Sequence, residues 1–185
     1  MTDLTVALPS FPDFEGTVRD FSAWHLQAEF LRAAAFELWA TAKKAMDDLC
    51  SAGKGSRDLR MGQTPPDSAF LATALSSAFL LYGFAMENLI KACIVKKYPS
   101  LPRIDAGKMR WDVGDHDLVG LARKAGINLT PGDRLILDTL AKWAVWQGRY
   151  PVPMKAPSHT RQRMFHDRAG IEACYLRLSG VLNES

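Results

Sequence analysis

At 185 residues, with 48% hydrophobic side chains and a net charge of +3, the chain is long enough for one well-packed domain. It is too short for a second independent core. Three cysteines, Cys50, Cys93 and Cys174, are odd in number, far apart and without a CxxC pair. That argues against a disulfide scaffold and for reduced thiols in the cytoplasm.

The opening stretch MTDLTVALPSFPDFEG holds no basic segment followed by an apolar one, so no signal peptide is expected. With Pro9 and Pro12 it reads as an arm over residues 1–16. Residues 17–185 then form a single helical bundle domain. From Thr17 to about Cys50 the apolar positions Phe21, Trp24, Phe30, Leu31, Ala34 and Leu38 recur at helical steps in an Ala-rich context. The stretch at about 51–66 is polar and rich in Gly and Pro, and is expected to be a flexible connection.

A second long helix is expected from about Pro66 to Lys97, ended by Tyr98-Pro99 because proline disfavours helical geometry in the residue before it. Its run from Ala69 to Met86 carries no charge. The run just reaches the lower length for crossing a bilayer. Thr73, Ser76, Ser77, Tyr82 and Gly83 dilute it and no basic flank marks an inside end, so it reads as a core helix of a protein with no membrane partner. Glu87 and Lys91 then interrupt the apolar sequence one turn apart. Glutamate four residues before lysine is the favourable order for a same-face pair. They either close off a buried helix or are presented to a ligand.

SLPRIDAGKMRWDVG is expected to be an irregular link. In DHDLVGLARKAG a short helix follows, with Asp115 as N-cap and Gly126 as its C-terminal stop. His116 in this stretch suits a general base, a metal ligand or a local hydrogen-bonding group. His25, His159 and His166 show no ligand spacing with it, so no metal or other cofactor is expected. NLTPGDRLILDTLAKWAVWQG has Thr130 as N-cap, Pro131 at the first helical position, Asp133 in the first turn and Gly148 at the end. Trp143 and Trp146, three apart, share a face as core aromatics.

Beyond Gly148, Arg149 can neutralise the helix terminus, pair with Glu87, or grip a phosphate while Tyr150 stacks on a base. A last helix is expected over about Thr160 to Leu182, opening with Arg161 and His166 at an R-x4-H interval. No strand shows convincing alternation. The expected fold is all-α: an up-and-down bundle of four main helices plus one short helix. Charge is uneven along it: four Lys/Arg against eight Asp/Glu in residues 1–50, and seven against three in residues 142–185. The basic C-terminal region suits a phosphate-bearing partner, although a solvated helix face has the same composition. GxSxG, P-loop, strand-borne GxGxxG and HExxH signatures are all missing.

Taken in order, GFAMENLIKA, HDLVGLARKAG and LAKWAVWQGRYPVP resemble a divergent branch of the HEPN domain superfamily over roughly residues 70–180. The resemblance implies a helical bundle, self-association as a homodimer, and RNA binding or cleavage in defence or toxin–antitoxin settings. It places Glu87, Lys91, His116 and Arg149 in one polar cluster. Nuclease members use an R-x4-6-H motif. Arg149 has no histidine at that interval, whereas Arg161 and His166 satisfy it, without the usual asparagine after the arginine. The expected function is an RNA-, nucleotide- or protein-binding module, with a metal-independent ribonuclease using Arg161 and His166 as the alternative.

Overall fold

The computed structural model describes residues 14–51, 66–105, 108–111, 116–144 and 167–184. Among these, helix dominates. α1 spans Phe14–Arg19, α2 Phe21–Ser51, α3 Pro66–Lys97, α4 Leu118–Ala125, α5 Pro131–Lys142 and α6 Arg168–Glu184. Two short strands, β1 (Pro102–Asp105) and β2 (Lys108–Trp111), lie between α3 and α4.

The single helix expected from Thr17 is broken at Asp20. The Asp20 carboxylate accepts hydrogen bonds from the Ser22 amide at 2.9 Å and the Ser22 hydroxyl at 2.7 Å. That side chain takes over donors left unpaired at the start of α2, so the chain restarts there instead of running on from α1. α1 begins at Phe14, inside the stretch expected to be an arm.

α3 organises the remainder. Phe79, Tyr82, Ala85, Met86, Leu89, Ile90, Ala92 and Val95 are all fully buried, and together with the buried Ile94 and Glu87 they take up most of the helix circumference. A helix that is apolar all round has to be covered all round. Its Thr73–Lys97 segment is long and apolar enough to cross a membrane, but most of it is buried inside the bundle.

Cross-helix contacts fix the directions of the covering helices. Lys96 lies over the Phe21 ring, Lys91 over the Trp24 ring, and Trp39 meets Phe79 edge-on at 5.3 Å. Positions in α2 rise as those in α3 fall, so this pair is antiparallel. α5 is antiparallel to α3 as well: Trp143 stacks on Phe79, and Gly83 abuts Leu140 and Ala144. α6 runs with α3, since Tyr82 reaches Glu172 and Lys96 reaches the Leu182 carbonyl. The result is an all-α, up-and-down bundle of α2, α3, α5 and α6, with α4 packed against α3 and α5.

The cap signals of the later helices are realised. At α5, Thr130 and Asp133 form a reciprocal capping box, and Pro131 occupies the first turn. Gly126 closes α4 with φ at 78°, a left-handed position that favours glycine. The N-cap of α4 is Asp117 and not Asp115: its carboxylate accepts from the Gly120 amide at 2.9 Å. Asp115 lies outside the described residues, as do Trp146, Gly148 and the whole segment between α2 and α3. α5 passes into wider turns at Trp143 and Ala144. α6 begins at Arg168, and residues 160–166 of the expected last helix lie outside the described residues.

The link after α3 is not wholly irregular. β1 and β2 pair antiparallel, with Pro102 opposite Trp111 and Arg103 opposite Arg110. Four-residue strands offer only two alternations each, too few to register as a sequence pattern.

Two glycines separate tight packing from idle flexibility. A Cβ on Gly83 would sit 3.0 Å from the Leu140 carbonyl oxygen and 3.2 Å from the Ala144 Cβ, whereas one on Gly180 would meet nothing within 4 Å. Gly180→Ala is therefore expected to stabilise the fold by about 0.5–1 kcal/mol through helix propensity. Gly83→Ala has the same propensity gain, but has to push α5 away from α3, a cost of about 1–3 kcal/mol. Chemical denaturation of the two variants should give shifts of opposite sign.

Candidate functional site

Glu87 is the first charge after the apolar run, and it arrives on a helix already enclosed. Its residue is 7% exposed. A carboxylate so placed needs partners, and it has two. Lys91, one turn on, donates from Nζ to Oε1 at 2.5 Å, and His116 Nδ1 lies 2.7 Å from Oε2. The first partner comes from local helix geometry. The second comes from the residues just ahead of α4, placed there by packing of α4 on α3.

Burial pushes the Glu87 carboxyl pKa up. The hydrogen bonds and charges of Lys91 and His116 outweigh that effect and hold it below its ordinary value of 4.5. Glu87 is thus a carboxylate at neutral pH. Apolar rings surround the triad. Lys91 Nζ lies 5.6 Å from the Trp24 ring centroid, and the His116 ring is 6.3 Å from that of Phe84. Trp24 is itself fixed by its indole N–H, which donates to the Val18 carbonyl at 2.9 Å.

Side-chain exposure rises along the triad from 9% at Glu87 to 15% at Lys91 and 31% at His116. The imidazole is the member that solvent or a ligand reaches. With Nδ1 engaged by a carboxylate, Nε2 makes no hydrogen bond among the described residues and is the ring nitrogen left for outside chemistry.

Of the residues expected in this cluster, the structure brings Glu87, Lys91 and His116 together. Arg149 and Tyr150 lie outside the described residues, and so do Arg161 and His166.

A second polar network escaped sequence reasoning. Arg32 of α2 donates to Glu172 of α6 at 2.7 Å and to Glu29 at 2.9 Å, while the Tyr82 hydroxyl donates to the other Glu172 oxygen at 2.7 Å. Burial, then the Glu172 carboxylate, pushes the Tyr82 hydroxyl pKa well above its usual value. Arg32 also covers the Tyr175 ring at 5.0 Å. Tyr82, an aromatic whose hydroxyl needs a partner once buried, was the available signal in α3.

The buried thiols offer no nucleophile. Burial raises Cys93 to about 11, and burial together with the Asp133 charge raises Cys174 to about 12.

Comparison with known protein families, characterised proteins and solved structures finds no match to this chain.

Glu87→Ala leaves Lys91 without its anion, and should destabilise by about 2–3 kcal/mol, below the roughly 3–5 typical of fully buried pairs because His116 can rehydrate. The pH response follows from the direction of the shift. A carboxyl held below its ordinary value stabilises the fold fully above that value and loses the contribution as pH falls through its lower folded-state value. Urea midpoints measured between pH 7 and about pH 3 should fall more steeply for wild type than for Glu87→Gln.

Proposed function

We propose that this chain is an HEPN-like module that binds RNA at the face where α3 meets the start of α4. The carrying observation is the 2.7 Å contact between Glu87 and His116. It joins the two sequence motifs, FAMENLIKA and HDL, across 29 positions of chain. Motif residues that meet at a partly exposed imidazole, beside the aromatic ring of Phe84, support a recognition role. Aromatic and imidazole rings are the surfaces on which unpaired bases stack.

In this reading Glu87 orients the imidazole and Lys91 balances the carboxylate, so a phosphate approaching His116 meets no uncompensated negative charge. Arg149 and Tyr150, which lie outside the described residues, have the side-chain chemistry for a planar phosphate grip and a stacking ring. The setting is a cytoplasmic defence, toxin–antitoxin or regulatory system. The module acts as a homodimer; exposed Leu26 and Phe30 on α2, and Leu176 on α6, support self-association. A nucleotide or a partner protein as the natural ligand, and metal-independent cleavage through Arg161 and His166, are the competing outcomes.

Fluorescence anisotropy with a labelled mixed-sequence RNA in EDTA tests the reading. His116→Ala and Arg149→Lys should each weaken binding about tenfold, a loss of roughly 1.4 kcal/mol, with the RNA recovered at full length. RNA shortened by wild type, but by neither Arg161→Ala nor His166→Ala, would establish the ribonuclease instead. Wild-type protein that neither retains nor cuts RNA would overturn the proposal. Light scattering should give a particle of about twice 20.5 kDa; the monomer mass at micromolar concentration would remove the dimer.

A further inference from the structure

Several cations on this fold are claimed by a neighbouring carboxylate. Arg32, Lys43 and Lys44 of α2, Lys91 of α3, Arg110 of β2, Lys142 of α5 and Arg177 of α6 each make an ion pair with Asp or Glu. Two cations without such a partner meet at the junction of α4 and α5. Arg123, in the last turn of α4, and Arg134, in the first turns of α5, make no ion pair among the described residues. Both line one open cleft of about 220 Å³.

The short connection explains how two helices deliver an arginine to one place. Gly126 turns the chain back in its left-handed conformation, and Thr130 starts α5 four residues later. Val119, Ile127 and Leu129 supply apolar wall, and Asn128 supplies a carboxamide that both donates and accepts. Two further cations stand nearby, and the exposed Asp138, four residues beyond Arg134, is paired with Lys142. Lys97 Nζ lies 3.1 Å from where a Cβ on Gly126 would stand, and Lys124 is the neighbour of Arg123 in sequence. The nearest acid in sequence, Asp133, is buried, and is taken up by Thr130 and by Arg177 of α6. Its charge is directed into the bundle's own network.

We infer that this cleft binds a phosphate monoester, with Arg123 and Arg134 as the anion-holding residues. Two guanidinium groups on one cleft repel each other, and a dianion relieves both at once. A phosphate monoester carries close to two charges at neutral pH, since its second ionisation falls near pH 6, at about −1.5 to −2 in total. Its three terminal oxygens match two planar donor forks. The cleft is smaller than the roughly 300–1,000 Å³ of pockets that enclose whole drug-sized ligands. It suits a phosphate and the group next to it, with the rest of the ligand outside. A free phosphorylated small molecule and the 5′-phosphorylated end of an RNA present the same chemistry. The site is separate from the Glu87–His116 face and does not depend on the RNA-binding reading of that face.

Calorimetric titration with AMP, adenosine and inorganic phosphate tests this, alongside one oligoribonucleotide in its 5′-phosphorylated and 5′-hydroxyl forms. AMP should bind at least about tenfold more tightly than adenosine, and inorganic phosphate should compete with it. Arg123→Gln and Arg134→Gln should each weaken AMP about tenfold or more, and Arg134→Lys by less. Both arginines are exposed, so ligand-free melting temperatures of these variants should match wild type. His116→Ala should bind AMP as wild type does, which separates failure here from failure at the other face. Tighter binding of the 5′-phosphorylated than of the 5′-hydroxyl oligonucleotide, by a margin lost in Arg123→Gln and Arg134→Gln, would assign the site to an RNA end; equal binding of the two forms beside tight AMP binding would assign it to a small molecule. Equal binding of AMP and adenosine, or unchanged AMP binding in both glutamine variants, overturns the inference.

Discussion

The structure depends on covering α3. From Ala69 to Met86 the chain has no charge for five helical turns, roughly 27 Å of helix. Water would have to be kept from all sides of that length. Each fully buried large side chain along it, such as Phe79 or Met86, contributes roughly 1.5–3 kcal/mol only if some other helix supplies the opposite wall. α2 covers one side along nearly its full length, α5 and α6 cover others, and α4 packs on the C-terminal half of α3, where Glu87 meets His116 and Lys97 approaches Gly126. Gly83 fits this arrangement: its missing side chain lets the α5 backbone approach α3 at Leu140, where the aromatic stack of Phe79 and Trp143 continues the contact.

Once α3 is enclosed, apolar contact alone leaves the sliding and rotation of its neighbours loosely defined. Three buried or nearly buried carboxylates supply direction. Glu87 ties α3 to the start of α4, Glu172 ties α6 to α2 and α3, and Asp133 ties α5 to Arg177 of α6. Each joins elements that apolar packing has already brought near, and each has more than one donor. Burial pushes the Asp133 carboxyl pKa upward, yet Arg177 and Thr130 hold it at about 2. A carboxylate that is expensive to strand penalises every alternative register in which its donors are missing. The bundle therefore gains specificity from a handful of polar contacts between helices far apart in sequence.

That division explains what was legible in the chain. Local chemistry was readable: the Thr130–Pro131–Asp133 start of α5, the left-handed stop at Gly126, and the Glu87–Lys91 spacing all depend on residues within a few positions of each other. The break at Asp20 was also local, but a continuous run of helical apolar positions hid it, and only the bonds to Ser22 expose it. The hairpin was too short to show a period. The Arg32–Glu172 and Tyr82–Glu172 contacts span 140 and 90 positions, and no spacing rule reaches that far. At the candidate site, spacing disclosed the Lys91 half, whereas the approach of His116 to Glu87 depended on how α4 packs.

Glu87 itself brings the two roles together. Its inner surroundings are those of a register device: a buried carboxylate, both oxygens engaged, on the helix that the whole bundle encloses. Its outer partner has a different character, because the His116 side chain is about a third exposed while its Nδ1 is held at 2.7 Å. An imidazole anchored at one nitrogen loses little further freedom when a ligand meets the other, so the ordering cost of contact there is already met by folding. A surface histidine free to rotate would have to bear that cost on binding. The same ion triad that stabilises the α3–α4 junction thus presents an oriented ring at its rim, and the stability of the junction sets how well that ring is aimed.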